Sequence, residues 1–117
     1  MVEPTGIRWG NRFRLDIGVR VFRDTLLIGE GCITNASTSG AYVETPIALL
    51  PHSNIRLQPI RIGGNPIAAG AIHATVSRLD AFGVGVEWRD MACPEVIAIL
   101  SHATRAEADA RAVRKSA

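Results

Sequence analysis

The sequence predicts an all-β fold, a six-stranded antiparallel β-barrel followed by one C-terminal α-helix. Three observations carry that expectation. Six segments between residues 15 and 90 read as strands, several of them alternating apolar and polar side chains with period two, Gly, Pro and Asn punctuate them at short intervals, and the last quarter turns to helix-forming residues. At 117 residues the chain is long enough for one domain that buries a core without disulfide staples.

In "LDIGVRV" Leu15, Ile17, Val19 and Val21 share one face and Asp16, Gly18 and Arg20 the other, which predicts a half-buried strand. "RDT" turns the chain into a second strand, "LLIGEGCIT", where Gly29 and Gly31 suggest a bulge or barrel corner. The polar turn "NASTSG" leads to "AYVETP", a third strand that Pro46 ends. "IALLPHS" reads as a connection whose Ile47, Leu49 and Leu50 pack over the open end of the core.

"NIRLQPIRI" is the fourth strand, and Pro59, which cannot donate to a ladder, must sit there at an edge or a bulge. "GGN" predicts a hairpin turn with positive φ at its glycines. "PIAAGAIHATVSRLD" then directs Ile72, Ala74 and Val76 inward and His73, Thr75 and Ser77 outward, and "AFGVGVEWRD" directs Phe82, Val84, Val86 and Trp88 inward. Pro94 occupies a first helical position, with Glu95 in the first turn and Val96, Ile97, Leu100 and Ala103 as the apolar stripe. The expected division is a flexible arm over 1–14, a barrel over 15–92 and the helix over 93–117.

Composition excludes several function classes. The longest apolar runs are only a few residues and "MVEPTGIRWGN" lacks the apolar core of a signal peptide, so the chain reads as soluble and cytoplasmic, without membrane insertion. A net charge of +2 with six aromatic residues is a poor match to DNA or RNA, which call for a strongly basic groove with exposed rings. Cys32 and Cys93 lack metal or redox spacing and read as small buried residues. His52, His73 and His102 form no ligand pair, the glycines of "GVGVEW" continue as a strand instead of opening a helix, and no nucleophile elbow or acid pair occurs. The expectation is a binding protein, not an enzyme, with no metal and no cofactor.

The basic residues are unusual in kind. Twelve of the thirteen are Arg, and Arg8, Arg12, Arg14, Arg20 and Arg23 crowd into the first 23 positions. The planar guanidinium fork suits phosphates, guanine edges and flat rings; a solvated basic arm accounts for the same charges. Read alone, Asn35, Ser37 and Gly40 of the "NASTSG" turn are explained by side-chain to backbone bonds and a positive φ.

Together the two features carry more. "RWGNR", Arg8 to Arg12, is R-x-x-x-R; 23 residues after Arg12 comes Asn35, which opens N-x-S-x-x-G, and "GAYVET" and "FGVGVEW" follow. From Arg8 to the middle of the final helix the chain resembles the PilZ domain family, whose members bear R-x-x-x-R before the first strand and (D/N)-x-S-x-x-G between the second and third. The resemblance implies a six-stranded barrel with a C-terminal helix and a receptor for the bacterial second messenger cyclic di-GMP. It implies that Arg8 and Arg12 hold guanine edges and phosphates, that Asn35 and Ser37 hydrogen-bond a guanine, and that Gly40 lets the backbone approach. Trp9 is a further candidate as a stacking ring or a packing residue, and Arg14 as a phosphate contact or part of the barrel wall. The implied protein is a small adaptor, monomer or weak homodimer, that signals to an unidentified downstream protein. The alternative is a PilZ-like interaction module with little or no nucleotide binding, as in type IV pilus biogenesis.

Overall fold

The computed structural model describes residues 13–102. Its strands are β1 (Phe13–Arg23), β2 (Leu26–Ala36), β3 (Gly40–Glu44), β4 (Asn54–Ile62), β5 (Asn65–Pro66), β6 (Ile72–Leu79) and β7 (Gly83–Trp88). The order β1-β2-β3-β7-β6-β4 closes because β4 also pairs with β1, and every pairing is antiparallel. The result is the expected six-stranded barrel, with β5 a two-residue appendage to β4.

Closure leaves the six main strands without a free edge and turns the alternating apolar residues into one core. Ile17, Val19 and Val21 from β1 meet Ile33, Val43, Ile55, Leu57, Ile72, Val76, Val84 and Val86 from the other five, and all are buried. Closure also needs corners. The β1–β2 ladder slips between Val21 and Phe22, where Val21 faces Gly29 and Phe22 faces Leu27, so Ile28 is the extra residue. The β1–β4 ladder slips where Gly18 faces Arg61 and Val19 faces Pro59. Pro59 therefore sits at a bulge, the place its missing N–H requires.

The two-residue turn at Asp24 and Thr25 joins β1 to β2, and Asp24 takes φ 56°, which a short polar side chain tolerates. Gly63 and Gly64 both have positive φ and join the paired residues Ile62 and Asn65, as a primed turn demands. The strand expected after "GGN" is interrupted, since 67–71 is not strand and β6 begins only at Ile72.

A helix, α1, starts at Pro94 and continues to the last described residue, 102. The Ile97 N–H donates to the Cys93 carbonyl at 3.1 Å, which makes Cys93 the cap and Pro94 the first helical residue. Val96 and Ile99 are buried on the barrel and Leu100 packs partly against it, while Ile97 is 52% exposed. The expected stripe is thus rotated. Positions 96, 99 and 100 lie within one helical face, and 97 stands about 100° away from 96. Ala103 lies outside the described residues.

Two other inward expectations are corrected. Phe82 is 78% exposed, because it belongs to the turn ahead of β7, where its N–H and that of Gly83 donate to Asp80 Oδ1 at 2.8 and 2.9 Å. Strand alternation does not reach back into that turn. In the β3–β4 connection Ile47 and Leu49 pack on the core, but Leu50, just before the turn at Pro51, is exposed.

Candidate functional site

Arg14 lies opposite Asn35, Asn35 opposite Tyr42, Tyr42 opposite Gly85, and Gly85 opposite Arg78. This one register row crosses β1, β2, β3, β7 and β6 on the outside of the barrel, with buried Ala41 and Val43 flanking Tyr42 and Val84 and Val86 flanking Gly85. Arg14, Thr34, Asn35, Tyr42, Glu44 and Arg78 line a hollow of about 470 Å³. A second hollow of about 340 Å³ shares Arg78 and is lined also by Ser39, Gly40, Gly85 and Glu87. Arg78 is therefore the ridge between two adjoining depressions.

Two backbone features put Arg78 there. The β6–β7 ladder slips between Val76 and Arg78, so Ser77 is the extra residue and Arg78 faces outward. Gly85 lacks the Cβ that would lie 3.1 Å from Arg78 Cγ and Nε, so the arginine stem can lie across β7. An alanine at 85 would make that stem give way by a few tenths of an ångström.

Tyr42 is fixed by its hydroxyl, which donates to Asp80 Oδ1 at 2.6 Å. That bond, ahead of desolvation, pushes the Tyr42 phenol up to about 12. The same bond, helped by the Phe82 and Gly83 N–H groups, holds the Asp80 carboxyl below its ordinary value. Tyr42 thus stays a neutral donor with its ring anchored at one end. The first hollow carries the guanidinium groups of Arg14 and Arg78 against the single carboxylate of Glu44, so its lining favours an anion.

The turn residues divide. Arg14 and Asn35 are brought side by side and line the first hollow, and Gly40 lines the second. Ser37 lines neither. Its side chain is buried, its hydroxyl lies 3.2 Å from that of Ser39 and accepts the Ser39 N–H at 3.3 Å, and its carbonyl accepts Trp88 Nε1–H at 3.0 Å. Arg8, Trp9 and Arg12 lie outside the described residues. Gly40 has no positive φ; instead, a Cβ on it would stand 2.0 Å from the Val86 carbonyl oxygen. Close approach of β3 to β7 is what demands glycine there.

Arg78 and Tyr42 are the residues that sequence reading missed. For Arg78 a signal existed: with Ile72, Ala74 and Val76 inward, strict alternation would send Arg78 into the core, and a charge there marks a bulge. Cys32 lies in the next register row and its thiol donates to Asp16 Oδ1 at 3.5 Å; burial, then Asp16, pushes its pKa up, which disfavours the thiolate. Among the described residues no cluster of His, Cys, Asp and Glu could hold a metal ion, and no helix is long and apolar enough to cross a membrane.

No protein-family model matches this chain, and no curated protein does.

Proposed function

We propose that the chain is a PilZ-type receptor for cyclic di-GMP, with Arg8, Arg12, Arg14, Asn35, Tyr42 and Arg78 as its binding groups. The observation that carries this reading is the register row, which aligns two guanidinium groups, an amide and an aromatic ring along the two adjoining hollows. Each matches a part of the ligand. A guanine offers O6 and N7 to an arginine fork, its N1 and N2 donors need an acceptor such as the Asn35 carbonyl oxygen, and its face stacks on Tyr42 or a guanidinium. The ring phosphodiesters take the remaining arginines.

Arg12 and Arg8 precede Arg14 by two and six residues, so the chain tethers them within roughly 7 and 20 Å of the first hollow. Arg14 is exposed and lines that hollow, which favours its role as a contact over a part in the barrel wall. Occupancy by a ligand held from both the barrel and the preceding segment changes the surface offered to a partner protein, and that change is the signal.

Calorimetric titration with cyclic di-GMP tests the reading. Wild type binds with micromolar or tighter affinity, Arg12→Ala abolishes the heat, and Arg78→Ala weakens binding about tenfold, as expected for one charge-assisted contact. Absence of heat with wild type sinks the proposal. A second reading, the interaction module without nucleotide binding, is favoured by Ser37, whose hydroxyl is spent inside its own turn. Partner capture that is indifferent to added nucleotide would select it.

A further inference from the structure

The barrel carries another hollow, which shares no lining residue with the row just described. About 420 Å³ in volume, it is lined by Asp24, Thr25, Asn54, Arg56, His73 and Arg89. Its wall is a second register row in which Phe22 lies opposite Arg56 and Arg56 opposite His73, while the Arg89 N–H donates to the His73 carbonyl at 3.0 Å. Both rows cross β6, the first at Arg78 and the second at His73, which at ~3.3 Å per residue are roughly 16 Å apart along the strand.

Arg56 is held in position before any ligand arrives. Its guanidinium carbon stands 5.5 Å from the centroid of the Phe22 ring, and one Nη donates to the Asp24 carbonyl. Its Nε is buried with no hydrogen-bond partner. A buried N–H left unpaired is costly, so the site gains when the fork turns to place Nε and the Nη beside it on two oxygens of one anion, in exchange for the Asp24 carbonyl. Asn54 Oδ1 accepts the Thr75 hydroxyl at 3.1 Å, which leaves its amide N–H groups as donors. Thr25 adds a hydroxyl, and Asp24 is the one acidic side chain in the lining.

We propose that this hollow binds the phosphate group of a small phosphate monoester, gripped by Arg56 and Arg89 with His73 and Asn54 as further donors. A carboxylate has two oxygens to share among these groups, whereas a phosphate has three and satisfies a fork, a second arginine and an imidazole together. The volume falls within the range of small-molecule pockets, so the hollow has room for the ester's organic part as well. The inference is independent of the cyclic di-GMP reading, because the two sites share no residue.

The test is an NMR titration of the full chain with inorganic phosphate, with glycerol 3-phosphate, and with chloride at matched ionic strength. Expected are saturable shifts of the Arg56 Nε–H and His73 ring signals with both phosphates and none with chloride, with affinity for both reduced at least tenfold in Arg56→Gln and in Arg89→Gln. Arg89→Gln keeps the test valid should Arg56→Gln perturb the fold, and cyclic di-GMP titration of either variant reports the other site separately. Equal shifts from chloride, binding of inorganic phosphate without the ester, or unchanged affinity in both variants overturns the proposal.

Discussion

The β2–β3 turn and the β4–β5 turn look alike in sequence, each short, polar and glycine-bearing, yet they are built on different physics. The β4–β5 turn is tied to β1 by one bond, the Gly63 N–H donating to the Asp16 carbonyl at 2.8 Å, but its glycines face open space: Gly63 and Gly64 have φ of 56° and 88°, and an added Cβ would meet nothing within 4 Å at either. The β2–β3 turn is knitted into the barrel. Its Ser37 carbonyl takes the Trp88 indole N–H, its Ser39 carbonyl takes the Trp88 backbone N–H at 3.0 Å, and Gly40 touches the Val86 carbonyl. Glycines that face open space are needed for their backbone angle, and one pressed against a neighbouring strand is needed for clearance. The β2–β3 turn is also rigid, which is why the row beside it can present Asn35 and Tyr42 at fixed places.

Substitutions separate the two kinds of glycine. Gly40→Ala forces β3 and β7 apart and costs about 3 kcal/mol or more, read as a lowered urea midpoint. Trp88→Phe keeps most of the buried ring but orphans the Ser37 carbonyl, for a loss of about 2 kcal/mol in the same measurement. Gly64→Ala meets open space and costs only the left-handed backbone penalty, about 1 kcal/mol. A Gly40→Ala protein as stable as Gly64→Ala would erase the distinction.

The smallest effect concerns the anchor of the row, and pH exposes it. Tyr42 is the only tyrosine, so tyrosinate absorbance reports on it alone. Its titration is centred near 12 and Asp80→Asn returns it toward the ordinary value of about 10. The signs follow from the two shifts. The raised Tyr42 contributes stability that is complete below its unfolded value and fades as pH rises from about 10 to about 12. The lowered Asp80 contributes stability that is present above its unfolded value and fades as pH falls through the depressed folded one. Tyr42→Phe removes the alkaline limb and makes the acid limb shallower without abolishing it, because the Phe82 and Gly83 N–H groups still hold Asp80 down.

Much of the barrel was legible because its signals are local. Alternation marked Ile17, Val19 and Val21 or Ile72, Ala74 and Val76, "GGN" marked a hairpin turn, Pro59 marked an edge or a bulge, of which the structure has the bulge, and Pro94 a helix start. The misreadings fall at element ends, where Phe82 leaves its strand, Leu50 precedes a turn and Ile97 lies just off the helix stripe. At the candidate site the Asn35 turn and the nearby Arg14 were readable as polar residues between strands. The inward-facing Ser37 was not, because its burial depends on Trp88, 51 residues away.

By itself, then, the sequence determined the period of each strand, the chemistry of each turn and the supply of arginines, all of which depend on neighbours along the chain. Only the tertiary structure decided which outward residues meet. Cross-strand neighbours are set by register, and each bulge resets it: the slip at Ser77 turns Arg78 outward onto Gly85, and the slip at Thr34 sets Asn35 beside Tyr42. Those slips arise from closing six strands into one barrel, a constraint that no single segment carries.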